Sequence, residues 1–219
     1  MHLASIDQAA PGRAVCHEPP DQIANTLDAF LHSTLLVAIS EMGDKTQILA
    51  LILAARYRKA VPIIFGILVA TLANHALAAL GGSLLMHTGL KTWMPLILAV
   101  SFIALGLWIL IPDKADDDDA PKKDYGAFVT TVVVFFLAEM GDKTQFATIA
   151  LGAQYSNLIG VVAGSTLGMM IANVPAVLFG DKIMKWIPLN AVRYAASALF
   201  VGFGLWSLLT WFKLIPAFS

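Results

Sequence analysis

Cysteine is almost absent from this 219-residue chain: Cys16 is the only one. That excludes a disulfide framework, a cysteine zinc site and a dithiol redox pair. Charge is scarce too, at 13% of residues, where a soluble domain carries about 25%. Neither sign dominates, with 14 basic against 15 acidic residues, so nothing recommends nucleic acid as a partner. The first 26 residues contain Asp7, Arg13, His17, Glu18 and several prolines but no apolar stretch of the kind a cleavable signal needs. They read as a disordered extension. What is abundant is apolar sequence, 58% of the chain. The partner expected on composition is therefore a lipid bilayer, and the class an integral membrane protein.

A span needs about 20 apolar residues. Six segments qualify, roughly 28–55, 61–83, 93–111, 127–153, 157–180 and 188–212. The breaks fall at Arg56–Lys59, His87–Lys91, Asp113–Asp124, Gln154–Asn157 and Asp181–Lys185. The expected fold is all-α, with six transmembrane helices.

The chain also repeats itself. EMGDKT occurs at 41–46 and again at 139–144, a displacement of 98. The same displacement carries Tyr57 onto Tyr155, Gly66 onto Gly164, and Phe102, Gly106, Leu107 and Trp108 onto Phe200, Gly204, Leu205 and Trp206. One inserted residue would match Asn74 and Gly81 with Asn173 and Gly180. This is an internal duplication. Each half holds three spans, and an odd number forces the second half upside down. The expected organisation is two inverted three-helix repeats, 27–112 and 126–213, joined by an acidic linker at 113–125 that serves as a solvated tether. Transporters place a midplane site where such repeats meet. Lysine and arginine bias puts Arg56, Arg58, Lys59, Lys114, Lys122, Lys123, Lys182 and Lys185 on the cytoplasmic side, leaving both termini outside.

The hexapeptides are the anomaly. An ordinary loop between two spans would explain them, but the apolar runs on either side are each too short to cross alone. Only the combined segments cross, so the acids lie near mid-depth, where a lone charge costs about 2.5–3.5 kcal/mol. In an unbroken helix, Glu41, Asp44 and Lys45 stand at i, i+3 and i+4 and share one sector; Glu139, Asp142 and Lys143 do the same. Gly43 and Gly141 serve either close helix approach or a local break that exposes carbonyls. Thr46, Gln47, Thr144 and Gln145 add neutral oxygens, for ligation or for interhelical hydrogen bonds. Asn74 and Asn173 line the same cavity or bond between helices, and His75 reads as a hydrogen-bonded interior imidazole. "GVVAGSTLG" at 160–168 is a small-residue face for tight packing.

Four carboxylates and two ammonium groups sum to minus two, which one divalent cation cancels. Their oxygens are hard ligands, suited to Ca²⁺, Mn²⁺ or Mg²⁺ and not to Cu(I) or structural zinc. Protons compete for the same oxygens, so metal and protons can exchange. Lys45 and Lys143 are expected to pair with Glu41 and Glu139 while the ion is away. The ion is then cargo, and no cofactor is expected. An intramembrane aspartyl hydrolase built on two Gly-Asp pairs is a rival, as is a passive channel. The accompanying Glu and Lys favour neutralising a cation over sharing one proton, as a hydrolase dyad would.

E-x-G-D-K-T, placed twice in the first span of each half, resembles the Gdt-one family of cation/proton exchangers of Golgi and bacterial membranes, which handle Ca²⁺ and Mn²⁺. The resemblance covers about residues 30–212. It implies that Glu41, Asp44, Glu139 and Asp142 hold the ion, and that the chain is similar to the family's bacterial manganese exporters of the inner membrane. Met at the second motif position (Met42, Met140), where Leu is frequent, supplies either a thioether for Mn²⁺ or an adaptable filler.

Overall fold

A computed structural model describes residues 20–86, 91–111, 125–180 and 189–212. The acidic tether at 113–124 and residues 1–19 of the N-terminal extension lie outside them. Among the described residues the chain is helical, with no strand. The helices are α1 (Pro20–Glu41), α2 (Lys45–Tyr57), α3 (Ala60–Met86), α4 (Met94–Ile109), α5 (Ala127–Glu139), α6 (Lys143–Gln154), α7 (Leu158–Phe179) and α8 (Leu189–Trp211). A short 3₁₀ turn, Lys91–Trp93, leads into α4. Residues 20–26, expected in the extension, instead form the first turns of α1.

Three helices, α3, α7 and α8, are individually long and apolar enough to cross a membrane. α4, at 16 residues, is shorter, and the two spans expected over 28–55 and 127–153 are each split at the hexapeptide. The surface is that of a protein in lipid. Val61, Phe65, Leu72, Leu77, Leu80 and Leu84 of α3 are exposed, while Thr71, Asn74 and His75 of the same helix are buried. An aqueous helix would reverse that arrangement.

Small residues decide how the helices meet. The 160–168 stretch behaves as expected. A Cβ on Gly160, Gly164 or Gly168 would run into the carbonyls of Thr26, Phe30 and Thr34 on α1. These contacts advance together along both chains, so α1 and α7 are parallel. Gly66 of α3 meets Phe128 O and Thr131 of α5, and Asn74 meets Phe136 O, so α3 and α5 are parallel as well. α4 and α8 are antiparallel: Ser207 Oγ donates to Pro95 O, and Phe102 packs on Phe200 and Phe203.

The contacts themselves obey the displacement of 98. Phe30 O covers Gly164, and Phe128 O covers Gly66. Gly106 faces Ser197 O and Val201, while Gly204 faces Ala99 O and Ile103. Tyr57 Oη is 3.2 Å from Thr130 Oγ1, and Tyr155 Oη is 2.7 Å from His32 Nδ1. In every case the second contact is the first with both partners shifted. Two sequence halves that merely resembled each other would not reproduce one another's neighbours. The duplication is therefore present in the packing.

Candidate metal centre

Each hexapeptide breaks its helix in the same way. α1 ends at Glu41, Gly43 adopts φ +83°, Asp44 is extended (φ −83°, ψ 171°) and α2 begins at Lys45. α5 ends at Glu139, Gly141 adopts φ +79°, Asp142 is extended (φ −80°, ψ 165°) and α6 begins at Lys143. A positive φ strains any L side chain, which explains glycine at that point of both motifs. The unbroken helix expected for Glu41, Asp44 and Lys45 is thus corrected. Of the two uses considered for the glycines, the local break is the one found. Each Asp becomes the N-cap of a new helix, and each Glu closes an old one.

The breaks bring three of the four predicted acids together. One carboxylate oxygen each from Glu41, Glu139 and Asp142 lies within 4.8 Å of the others, and all three residues are buried. An ion bound at about 2.3–2.6 Å spans oxygens up to about 5 Å apart, so this cluster has the dimensions of a divalent-cation site. Its members are held unequally. Thr144 Oγ1 donates to Glu139 Oε2 at 2.8 Å and lies 3.3 Å from Asp142 Oδ2, which also accepts from Thr144 N–H at 3.4 Å. Glu41 is fully buried, and neither of its carboxylate oxygens has a hydrogen-bond partner among the described residues; Glu139 Oε1 is likewise unpartnered. A buried carboxylate in that condition is costly, and an ion or a proton would complete it.

The lysine pairing differs from expectation. Lys45 Nζ lies 3.4 Å from Asp142 Oδ1, so it crosses to the other motif's aspartate instead of joining Glu41. Its position at the start of α2 aims it over the break in the second half. Lys143 Nζ donates to Ile111 O at 3.3 Å, a contact just beyond the end of α4 and not the Glu139 pairing expected. Three carboxylates against Lys45 still leave a net charge of minus two, the balance a dication cancels. Asp44 stands outside the three-acid cluster. It lines a small neighbouring cavity with Ser40, Met42, Lys143 and Arg193. Arg193 has no counterpart in the repeat, since the displacement carries it back to Pro95, so repeat matching gave it no signal.

The neutral residues divide. Gln47 Oε1 accepts from Gly43 N–H at 2.9 Å, and Nε2 donates to Ala172 O at 2.8 Å. Gln145 Oε1 accepts from Gly141 N–H at 2.7 Å, and Nε2 donates to Asn74 Oδ1. Both glutamines make interhelical hydrogen bonds. Because Gln47 meets Ala172 where Gln145 meets Asn74, the displacement stays at 98 here. Asn74 therefore corresponds to Ala172 and His75 to Asn173, without the inserted residue. His75 is fully buried with both ring nitrogens unpartnered among the described residues, unlike the bonded imidazole expected. Asn173 bonds back to Met169 in its own helix, and Thr46 Oγ1 is buried without a partner among the described residues. Met140, 57% exposed, lies outside the carboxylate cluster.

Apolar helices enclosing a buried carboxylate cluster of divalent-cation dimensions suit a membrane transporter of cations. Comparison with known proteins specifies which kind. The profile of the divalent cation/proton antiporter GDT1 family matches residues 29–117 and again 127–214, and the chain belongs to that family. Among relatives, a protein of Vibrio cholerae provisionally named a manganese exporter is 47% identical over 183 residues, covering 83% of this chain and 91% of its own. The GDT1-like protein sll0615 of Synechocystis is 32% identical over 209 residues, 86% of this chain and 99% of the relative. A GDT1-like protein 3 of rice is 28% identical over 239 residues, 93% and 77% of the two chains. No solved structure matches.

Proposed function

We propose that this protein exports Mn²⁺ from the cytoplasm in exchange for protons, through one site shared by the two hexapeptides. The observation that carries the reading is the bare Glu41 carboxylate facing Glu139 and Asp142 within 4.8 Å, in a cluster whose net charge one dication neutralises. When the ion leaves, protons take its place on the same oxygens. Glu41, Glu139 and Asp142 hold the ion in this scheme, and Asp44 serves the neighbouring cavity through which it arrives. The cycle uses no resident cofactor, only the transported cation. The name of the Vibrio relative supports manganese as cargo. Calcium is the second reading, because an all-oxygen donor set accepts either ion.

The architecture proposed for it is six spans in two inverted triplets, with each split pair crossing as one unit. Support comes from the contact directions. α1 and then α2 advance along α7, from Thr26 near Gly160 to Gln47 at Ala172. α5 and then α6 advance along α3, from Phe128 near Gly66 to Ile149 near Gly82. Since α2 and α3 are joined by only Arg58 and Lys59, they form a hairpin, which sets α1–α2 against α5–α6. The Vibrio relative supports a bacterial inner membrane, and the lysine and arginine bias supports placing both termini outside. The test is purified protein in proteoliposomes, with a trapped pH indicator and an imposed gradient of Mn²⁺, Ca²⁺ or Mg²⁺. Mn²⁺ is expected to drive the fastest proton movement, and Glu139→Gln to abolish it. Proton-independent Mn²⁺ flux would sink the exchange mechanism, and full activity of the variant would remove Glu139 from the site.

A further inference from the structure

We infer that Gln47 and Gln145, the residue following each hexapeptide, are positioning residues: each clamps its helix break to the helix opposite and so sets the spacing of the carboxylates without contacting the ion. The functional half of this inference rests on the antiporter reading; the clamp does not.

The amide is used identically in both halves. Its oxygen takes the N–H of the motif glycine (2.9 Å for Gly43, 2.7 Å for Gly141), and its NH₂ group bonds to the facing helix. Past the end of its helix, the N–H of each motif glycine goes to this side chain and not to a carbonyl of the helical ladder. Glutamine four residues on has the reach, and it carries both a donor and an acceptor. With its oxygen engaged by the backbone and its nitrogen by the opposite helix, the side chain is a strut between the break and its support. Gln47 is 1% exposed, so removing it would leave buried groups unpaired at both ends.

The two struts end differently. Gln47 reaches a backbone carbonyl, Ala172 O. Gln145 reaches the Asn74 side chain, whose Nδ2 lies 3.5 Å from Phe136 O in the last turn of α5. In the second half, therefore, Gly141, Gln145, Asn74 and Phe136 form one connected loop that ties α6 to α5 through α3. Glu139 sits inside that loop, between Phe136 and Gly141 in sequence. Asn74 thereby gains a role as the outer anchor of the second strut.

Methionine keeps the length and volume of glutamine and removes both hydrogen bonds, so Gln47→Met, Gln145→Met and Asn74→Leu test the clamp. Amide hydrogen exchange by mass spectrometry, on full-length protein in detergent, should quicken at Gly141 in Q145M and N74L but not in Q47M. Gly43 should respond only to Q47M. In proteoliposomes Q145M should raise the KM for Mn²⁺ about 10-fold or more, as loss of an outer-shell partner does. The Q145M/N74L double variant should be no worse than the poorer single one, because both cut the same strut, while Q47M and N74L should multiply. Unchanged exchange at the glycines overturns the clamp. Faster exchange with an unmoved KM, or independent effects of Q145M and N74L, overturns the positioning role. If Gln145 were itself a ligand, Gln145→Glu would lower the KM with glycine exchange unaltered, which also overturns it. Wild-type protein that moves no Mn²⁺ sinks the antiporter reading, and the exchange measurement still decides the clamp.

Discussion

Replacing Glu41 by glutamine should strengthen the fold while it destroys the function. Glu41 is fully buried, and its carboxylate has no hydrogen-bond donor among the described residues. An ionised carboxylate without partners costs several kcal/mol to bury, whereas an unpaired amide costs about 1–3 kcal/mol. Its neighbours add to the strain. At an effective dielectric of about 20, two carboxylates no more than 4.8 Å apart repel by about 3 kcal/mol or more. Lys45, on the Asp142 side, and partial protonation offset some of this, leaving an expected gain of about 1–3 kcal/mol for Glu41→Gln in ion-free buffer. In a chain of this length that corresponds to a rise of about 2–12 °C in Tm. Thermal unfolding in detergent, with and without Mn²⁺, measures it. Wild-type protein should gain about 2.7 kcal/mol at an ion concentration of 100 Kd, and the variant should gain almost nothing. A variant less stable than wild type in ion-free buffer, or one still stabilised by Mn²⁺, would refute the claim that Glu41 is kept for the ion.

Gly141→Ala tests the break itself: a Cβ there meets nothing within 4 Å, so only the positive φ resists it, at about 1–2 kcal/mol. Gly202→Ala on α8, with equally open space and no positive φ, should be neutral or stabilising in the same unfolding assay. Lys45→Met removes the cation that competes for Asp142, so the KM for Mn²⁺ should fall while maximal exchange slows; an increased KM would show that Lys45 helps to hold the ion. Lowering pH equally on both sides of the vesicle should raise the KM for Mn²⁺, since protons and metal claim the same carboxylates, and a KM indifferent to pH would argue against a shared site.

Much of this was legible because duplication supplies its own internal control. A repeated acidic hexapeptide, set where neither flanking run can cross alone, points to four acids, of which Glu41, Glu139 and Asp142 converge and Asp44 does not. The small face at 160–168 announced close packing, and Gly164 meets the backbone of α1 as such a face should. What failed were inferences from an assumed unbroken helix. The i, i+3, i+4 sector followed from 100° per residue, but a single glycine at φ +83° cancels that periodicity. Lysine pairing failed for the same reason. Once α2 starts afresh at Lys45, the side chain projects across the interface, toward Asp142 and not Glu41. The shift of Asn74 onto Asn173 was a matching of letters; the contacts of Gln47 and Gln145 set the register one residue away. Backbone carbonyls such as Ala172 O and Ile111 O leave no mark in a sequence, because every residue has one.

Identical hexapeptides do not have identical surroundings, and the difference bears on mechanism. Thr144 donates to Glu139, whereas Thr46, its counterpart, leaves Glu41 bare. Lys45 reaches Asp142, whereas Lys143 reaches the carbonyl of Ile111. Met140 is 57% exposed, whereas Met42 is half-buried beside a cavity that Ile109 and Arg193 also line. A symmetric pair of motifs could satisfy its own charges equally on both sides, and such a site would have little affinity for a third party. Asymmetry prevents that. The chain's own donors are concentrated on the second motif, so among the described residues Glu41 is the least compensated acid of the cluster, and a cation or a proton binding there relieves that deficit. In the proposed exchange, Glu41 is therefore the carboxylate expected to respond most to a change of occupant, even though its sequence neighbourhood is the same as that of Glu139.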